Sequence, residues 1–114
     1  SKKREEIINL FKDGSLLTAK GVCNFVPNID RATVYRTIKS LVEQGILREV
    51  HLNKDYSHYE LTHAGDNHQH FLCTNCEKII PIEVDSKLIA KLLPKEMVTE
   101  EFELNIKGRC NDCK

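Results

Sequence analysis

Four of the cysteines in this chain form two Cys-x-x-Cys pairs, Cys73 with Cys76 and Cys110 with Cys113. A tight turn in such a pair points both sulfurs at one place, and two pairs supply the four thiolates that tetrahedral zinc prefers. Four protein ligands leave no open position on the metal for catalysis. The pattern therefore predicts a structural zinc site, whose binding free energy adds to the folding of the segment between the pairs.

Disulfide bonds and a thioredoxin-like redox pair are the other common uses of such cysteines. A redox motif needs one pair in a strand-to-helix context, and disulfides need an oxidising compartment. The chain has five cysteines, an odd number, and no signal-peptide pattern, which favours a reducing, cytoplasmic location. Both alternatives fit less well than zinc. Cys23, the fifth cysteine, is expected to be a small core residue.

Two histidines, His68 and His70, lie just before the first cysteine pair. Residues at i and i+2 of a strand share a face, so the two imidazoles could bind one ion. Imidazole nitrogens suit zinc, iron(II) and nickel alike. The alternative is that each histidine is an ordinary surface or core residue, but the pair favours a second metal site.

The length and composition of the chain limit how large a core it can bury. At 114 residues there is room for one or two units with modest cores, a shortage that a structural metal often remedies. No apolar run approaches the roughly 20 residues that cross a bilayer, so no membrane partner is expected. Net charge is zero, yet residues 1–50 hold nine basic against six acidic residues. The first half is therefore the better candidate for a nucleic-acid surface.

The first half of the chain predicts three short helices. Lys3–Phe11 carries an apolar stripe, a second helix begins at the N-cap Thr18, and the third spans Arg31–Gln44 with Asp30 as its N-cap. Short connections between the three predict a helix-turn-helix. The polar face of the third helix carries the candidate DNA contacts Arg31, Thr33, Tyr35, Arg36 and Lys39.

That polar face has chemistry suited to DNA. The N-terminal half of a recognition helix enters the major groove, where arginine can bridge guanine O6 and N7 or bind a phosphate. Tyrosine can contact a thymine methyl group, while Thr33 and Lys39 suit the phosphate backbone. The alternative is an ordinary solvated helix face.

Two alternating runs, Ile46–Leu52 and Tyr56–Leu61, follow the third helix and predict a β-hairpin, or wing. Lys54 in the turn is placed to contact a phosphate. We therefore predict a winged helix-turn-helix DNA-binding domain at residues 1–61 and a polar hinge at residues 62–67.

Residues 68–114 predict a second, zinc-stabilised α/β domain. Alternating strands include a last one at Glu101–Lys107, and a short helix begins after its N-cap Asp85. The sheet is expected to pack on this helix. An exposed edge strand would suit dimerisation, and a helix-turn-helix usually binds two half-sites as a dimer. The predicted fold class is α+β.

Three motifs in this order resemble the ferric uptake regulator family of bacterial metal-responsive repressors, over nearly the whole chain. They are Asp30-Arg31-Ala32-Thr33-Val34-Tyr35-Arg36-Thr37-Ile38, His68-x-His70-x-x-Cys73-x-x-Cys76 and Gly108-x-Cys110-x-x-Cys113. The resemblance implies a winged helix that binds an inverted-repeat operator, a dimerisation domain, a structural zinc on the four cysteines and a regulatory metal near the hinge. Tyr35 and Arg36 match the family's DNA-contacting pair.

We expect the regulatory metal to be Fe²⁺ or Zn²⁺. His68 and His70 match the family's sensing histidines, and Glu60 matches a glutamate of the same site. Its remaining ligands are expected among Glu60, His63, His51 and Glu49, although for His51 and His58 an ordinary surface or core position is favoured.

The departures from the family pattern concern metal ligands and the first helix. Leu16 lies where many iron-type members have a histidine, Gln69 replaces an aspartate, and Leu88 and Phe102 occupy places that often hold a glutamate and a histidine. The family's auxiliary metal site is therefore expected to be lost. Ser1-Lys2-Lys3-Arg4 resembles the opening of the family's second helix, so this sequence does not include the helix that usually precedes it.

The sequence thus predicts a dimeric, metal-dependent repressor of a palindromic operator, with no small-molecule substrate. One alternative is a zinc-stabilised adaptor without metal regulation. Another is a peroxide-sensing member of the same family. A thiol oxidoreductase or a hydrolytic zinc enzyme is disfavoured, because no nucleophile or general-base constellation is present.

Overall fold

Three helices and a three-stranded sheet form the first part of the chain. The computed structural model describes residues 1–62 and 68–114 and separates into two compact units, Ser1–Ala64 and Gly65–Lys114. The first unit contains α1 (Lys2–Asn9), β1 (Leu17–Thr18), α2 (Ala19–Phe25), α3 (Arg31–Glu43), β2 (Leu47–Val50) and β3 (His58–Leu61).

Side-chain caps set where these helices begin. Thr18 accepts a hydrogen bond from the backbone N–H of Gly21 at 3.0 Å, and Asp30 accepts one from the backbone N–H of Thr33 at 3.1 Å. Each bond satisfies an N–H that has no partner within the helix. Gly45, with φ of +75°, lies just beyond the end of α3, where a left-handed residue commonly ends a helix. These signals explain why the predicted and observed starts of α2 and α3 agree.

One apolar core holds the first unit together. Its buried members come from the three helices, the turn after α1, the connection after α2 and the start of β2: Ile7, Phe11, Val22, Val26, Ile29, Val34, Ile38, Leu41 and Leu47. This core leaves the polar face of α3 at the surface.

The sheet of the first unit has the strand order β1-β3-β2 and is antiparallel throughout. In its register Arg48 lies opposite Glu60 and Glu49 lies opposite Tyr59. The hairpin β2–β3 is the predicted wing, although its strands are shorter than the predicted runs. Strand β1 is an addition to the prediction, since two residues are too few to show an alternating pattern.

The second unit contains β4 (His68–Cys73), β5 (Ile79–Glu83), α4 (Ser86–Leu92) and β6 (Asn105–Gly108). The strand order is β5-β4-β6, with β5 antiparallel and β6 parallel to the central strand β4. Gly108 lies under the Phe71 ring, where an added Cβ would come within 3.2 Å of a ring carbon. The sheet therefore joins the segments that carry the two cysteine pairs.

The expected packing of the sheet on α4 is wrong. No residue of α4 is buried, and Leu88 and Leu92 are 55% and 78% exposed. Amphipathic periodicity shows that a helix has an apolar side but not what covers that side, which explains the error. The last strand also starts later than predicted, at Asn105. The predicted hinge, apart from Thr62, lies outside the described residues.

None of the helices in the described ranges is long and apolar enough to span a membrane.

Candidate metal centres and nucleic-acid interface

The four paired cysteines converge on one point of the second unit. The sulfurs of Cys73, Cys76, Cys110 and Cys113 all lie within 4.8 Å of one another. Cys76 Sγ and Cys110 Sγ are 3.8 Å apart, which is about the edge of a tetrahedron with 2.3 Å metal–sulfur bonds. The donor set and its spacing therefore fit zinc.

Backbone hydrogen bonds hold this cluster in shape. Thr74 donates from its backbone N–H to the carbonyl of Gly108 at 2.7 Å, and Cys73 donates to the carbonyl of Lys78 at 2.9 Å. Glu77 adopts φ of +65° in the turn that follows the first pair. These contacts fix the first pair to both neighbouring strands, so the sulfurs are placed by the sheet.

The protonation of the thiols also favours a cation. Hydrogen bonds from the backbone N–H groups of Cys76 and Cys110 lower the pKa of Cys73 to about 6 from 9.0. The backbone N–H of Lys78 lowers the pKa of Cys76, but the Cys73 sulfur, burial and the other two cysteines together raise it to about 11. A thiolate at Cys73 therefore disfavours ionisation of Cys76, and a divalent cation would offset the repulsion between the two charges.

The histidine pair lies on the central strand of the same unit. His68 and His70 share a face of β4 as predicted, with ring centroids 5.0 Å apart in an edge-to-face arrangement. His70 is buried, whereas His68 is partly exposed. Neutral imidazoles at this separation could each present a nitrogen to one ion.

Glu60 lies in the first unit on β3 and is 4% exposed. Its carboxylate Oε1 is 3.6 Å from Nη1 of Arg48, the residue opposite it on β2. A buried carboxylate needs such a positive partner. Arg48 was not among the site residues predicted from the sequence. A basic residue within the predicted hairpin was the available signal, but its partner depends on the strand register.

Glu49 and His51 form a separate group. Glu49 accepts a hydrogen bond from the Ser57 hydroxyl at 2.6 Å, and His51 Nε2 lies 3.6 Å from its other oxygen. Because neighbouring residues on a strand point to opposite faces, Glu49 and Arg48 lie on opposite sides of the wing sheet. Glu49 therefore faces away from the Arg48–Glu60 pair. His63 lies outside the described residues.

Gln69 has a structural contact that was not anticipated. Its buried side chain accepts a hydrogen bond from the backbone N–H of Leu104 at 2.8 Å. The bond joins β4 to the segment before β6. Only the observed topology shows that these two segments are adjacent.

The exposed face of α3 carries the predicted DNA contacts in two groups. The Arg31 guanidinium lies over the Tyr35 ring, 5.6 Å from its centroid, and a hydrogen bond with Tyr35 raises the pKa of Arg31. Lys39 is exposed one helical turn further along, and Lys54 is exposed in the turn of the wing. The face thus combines fixed positive charge with an exposed aromatic ring.

The second group on α3 is a chain of side-chain hydrogen bonds. The Thr33 hydroxyl donates to Asp30 Oδ1 at 2.6 Å and accepts from Arg36 Nη2 at 3.2 Å. The hydrogen bonds from the Thr33 side chain and backbone lower the pKa of Asp30, as does the nearby Arg36 charge. Asp30 therefore caps the helix and attracts Arg36.

Comparison with known proteins gives one consistent family. The model of the ferric uptake regulator family matches residues 1–107. A ferric uptake regulation protein of Synechococcus elongatus is 36% identical over 121 residues, covering 97% of this chain and 82% of that relative. The peroxide-responsive repressor PerR of Staphylococcus aureus is 28% identical over 91 residues, covering 76% of this chain and 60% of PerR.

A solved structure shows the same architecture. The ferric uptake regulator of Francisella tularensis, determined with iron, superposes with a TM-score of 0.81 at 26% sequence identity, covering 99% of this chain and 92% of that one.

Proposed function

The chain belongs to the ferric uptake regulator family, and on that premise we propose that it represses transcription by binding a palindromic DNA operator as a homodimer when a regulatory metal is bound. Membership of a family of transcription regulators excludes the two enzyme alternatives. It also favours metal-dependent regulation over an adaptor without metal regulation. The proposed site of action is the cytoplasm.

The observation that carries metal regulation is the His68–His70 pair, since two imidazoles share one face of β4 at a separation of 5.0 Å. We propose that Glu60 is a further ligand and that Fe²⁺ or Zn²⁺ is the ion. A carboxylate and two imidazoles are ligands that suit either of these divalent ions. Of the other predicted ligands, Glu49 faces away from the Arg48–Glu60 pair and has His51 beside it, so His63 is the remaining candidate for the ligand set.

The proposed ligands come from both units, and this explains how a bound metal would act as a switch. Glu60 belongs to the first unit, whereas His68 and His70 belong to the second. When these three side chains hold one ion, they restrict the angle between the units, and only some angles let two winged helices fit successive half-sites. Metal that prefers this form must raise operator affinity by the same factor by which the operator raises metal affinity.

The other parts of the proposal follow from surfaces already described. The four cysteines hold a structural zinc. The contacts to DNA come from the exposed face of α3 and from the wing: Arg31, Tyr35, Arg36, Lys39 and Lys54. Dimerisation would use exposed apolar side chains of the second unit, because removing them from water is favourable. These side chains are Leu88, Leu92, Leu93, Met97, Val98 and Ile106.

The test of metal regulation is the double variant His68→Ala/His70→Ala. It should lose the exchangeable ion and metal-dependent DNA binding, because two ligands are removed, while the chelator-resistant zinc on the cysteines remains. Metal content is measured by mass spectrometry, and DNA binding by fluorescence anisotropy with and without added Fe²⁺ or Zn²⁺. His51→Ala, on the wing, is the matched control. Unchanged metal dependence in the double variant would exclude the assignment.

Peroxide sensing is a second candidate function, supported by the similarity to PerR. Hydrogen peroxide should then abolish DNA binding by the iron-loaded protein and leave the zinc-loaded protein unaffected. Equal resistance of both forms would leave metal availability as the signal.

A further inference from the structure

Thr33 was expected to contact the DNA backbone, but its hydroxyl is already engaged within the protein. A hydroxyl group has one donor and two acceptor positions. The Thr33 hydroxyl donates to Asp30 and accepts from Arg36, at 2.6 Å and 3.2 Å. We infer that Thr33 is a positioning residue, which holds the Arg36 guanidinium in the orientation that recognises operator bases. The inference rests on the proposed role of Arg36 in base recognition.

The geometry of α3 explains how a threonine can do this. Residues three apart on a helix are neighbours, so Thr33 lies between the capping carboxylate of Asp30 and the guanidinium of Arg36. Donation of the hydroxyl proton to a carboxylate makes the same oxygen a stronger acceptor. The Asp30 charge also attracts Arg36. The cap that starts the helix therefore also orients the arginine.

This arrangement leaves most of the guanidinium available. Arg36 is exposed, and Thr33 occupies one hydrogen of its Nη2. A guanidinium has five N–H donors, so four remain for a two-point contact with guanine O6 and N7. Arginine has a flexible side chain whose ordering on binding is costly. Holding Arg36 before DNA arrives should reduce that cost, and the benefit should appear on the preferred sequence.

The experiment compares preferred and scrambled DNA. A preferred duplex is first selected from random sequence with the full chain loaded with zinc and the regulatory ion. Affinity for this duplex and for a scrambled duplex of equal composition is then measured by fluorescence anisotropy. Thr33→Val should reduce the preference for the selected duplex by about two- to tenfold, the cost of ordering one long side chain on binding. Thr33→Ser, which keeps the hydroxyl, should restore it.

Three further variants separate positioning from direct contact and from damage to the helix. In an Arg36→Ala background the effect of Thr33→Val should disappear, because positioning acts only through the arginine. Thr37→Val, at a similarly half-buried site one turn further along α3, is the matched control. Thr33→Ala, a better helix former than valine, should give the same loss as Thr33→Val.

Each result has a defined meaning. An equal loss with or without Arg36 would make Thr33 a direct DNA contact and overturn the inference alone. The same follows if Arg36→Ala reduces the preference but neither Thr33→Val nor Thr33→Ala does. If Arg36→Ala leaves the preference unchanged, the proposed base-recognition role fails together with the inference. If selection returns no preferred duplex, the proposed function itself fails.

Discussion

Cys73 is fully buried and its sulfur accepts hydrogen bonds from the backbone N–H groups of both Cys76 and Cys110, each at 3.4 Å. The described part of the second unit has few other buried groups. They are Gln69, His70, Val84 and Cys110, of which Val84 is the sole aliphatic residue. Such a core cannot offset the conformational entropy of about 50 residues. At the scale of single residues, we expect zinc on the four cysteines to replace the missing core.

Substitution of one buried ligand tests this directly. Cys110→Ser should abolish the tightly bound zinc and unfold the second unit, because structural zinc contributes about 10–16 kcal/mol in small zinc domains. Zinc content and amide hydrogen exchange of β4, β5 and β6 report the two effects. Cys23→Ser in the first unit, outside the cluster, should change neither. Retained protection of β4 in Cys110→Ser would show that the second unit folds without its metal.

The convergence of the four cysteines was predictable from the sequence, because the information for it is local. Cys-x-x-Cys spacing brings two sulfurs together within one turn, and two such pairs favour zinc. The Arg48–Glu60 pair and the Gln69–Leu104 hydrogen bond were not predictable in the same way. Both depend on which strands are neighbours and in which register, and neither is encoded in a short motif.

At the scale of elements, caps and breakers made α2 and α3 predictable. Asp30 accepts from both the backbone N–H and the hydroxyl of Thr33, and Gly45 follows the end of α3 in the left-handed region. These are local signals with a defined chemistry. Strand β1 and the exposure of α4 were missed because each depends on a partner: β1 pairs with a distant strand, and the apolar side of α4 has no cover within the described unit.

The cap of α3 should make the first unit sensitive to acid. The Thr33 hydrogen bonds lower the pKa of Asp30, so the folded pKa lies below the unfolded value of about 3.9. The charged cap therefore contributes its full stability above about pH 4, and this contribution is lost as the pH falls through the folded pKa.

Asp30→Asn keeps a capping oxygen but removes the charge. The free energy of unfolding of this variant should fall less steeply than that of the native chain on acidification below about pH 4. Urea unfolding at a series of pH values measures the difference. Asp55→Asn, in the turn of the wing, is the control and should follow the native curve. Parallel curves for Asp30→Asn and the native chain would contradict the role of the charge.

At the scale of the whole molecule, the apolar side of α4 and the segment after it need a cover. Leu92 and Val98 are 78% and 86% exposed, and a C2 dimer would bury the same patch on both chains. In the proposed repressor this contact also sets the distance between two recognition helices. Dimerisation and operator affinity should therefore be lost together.

Leu92→Asp should produce a monomer, because pairing would bury an unpaired carboxylate. Operator affinity should fall by about a hundredfold or more as the second half-site is lost. Sedimentation measures the oligomeric state, and anisotropy measures the affinity. Ala90→Asp introduces the same residue on the opposite side of α4 and should remain dimeric. A dimeric Leu92→Asp variant would place the interface elsewhere.

The order of the cysteine pairs along the chain has a consequence for biosynthesis. A ribosome completes all of α1 to β3 before it makes Cys73, and it must add 33 more residues after Cys76 before Cys110 exists. Domains generally fold as units during translation, the N-terminal one first. The first unit can therefore finish its core while the second still lacks one of its two cysteine pairs and its strand β6. In a zinc-starved cell, newly made chains would have a folded first unit and an incompletely folded second unit. Proteases can cleave such a second unit.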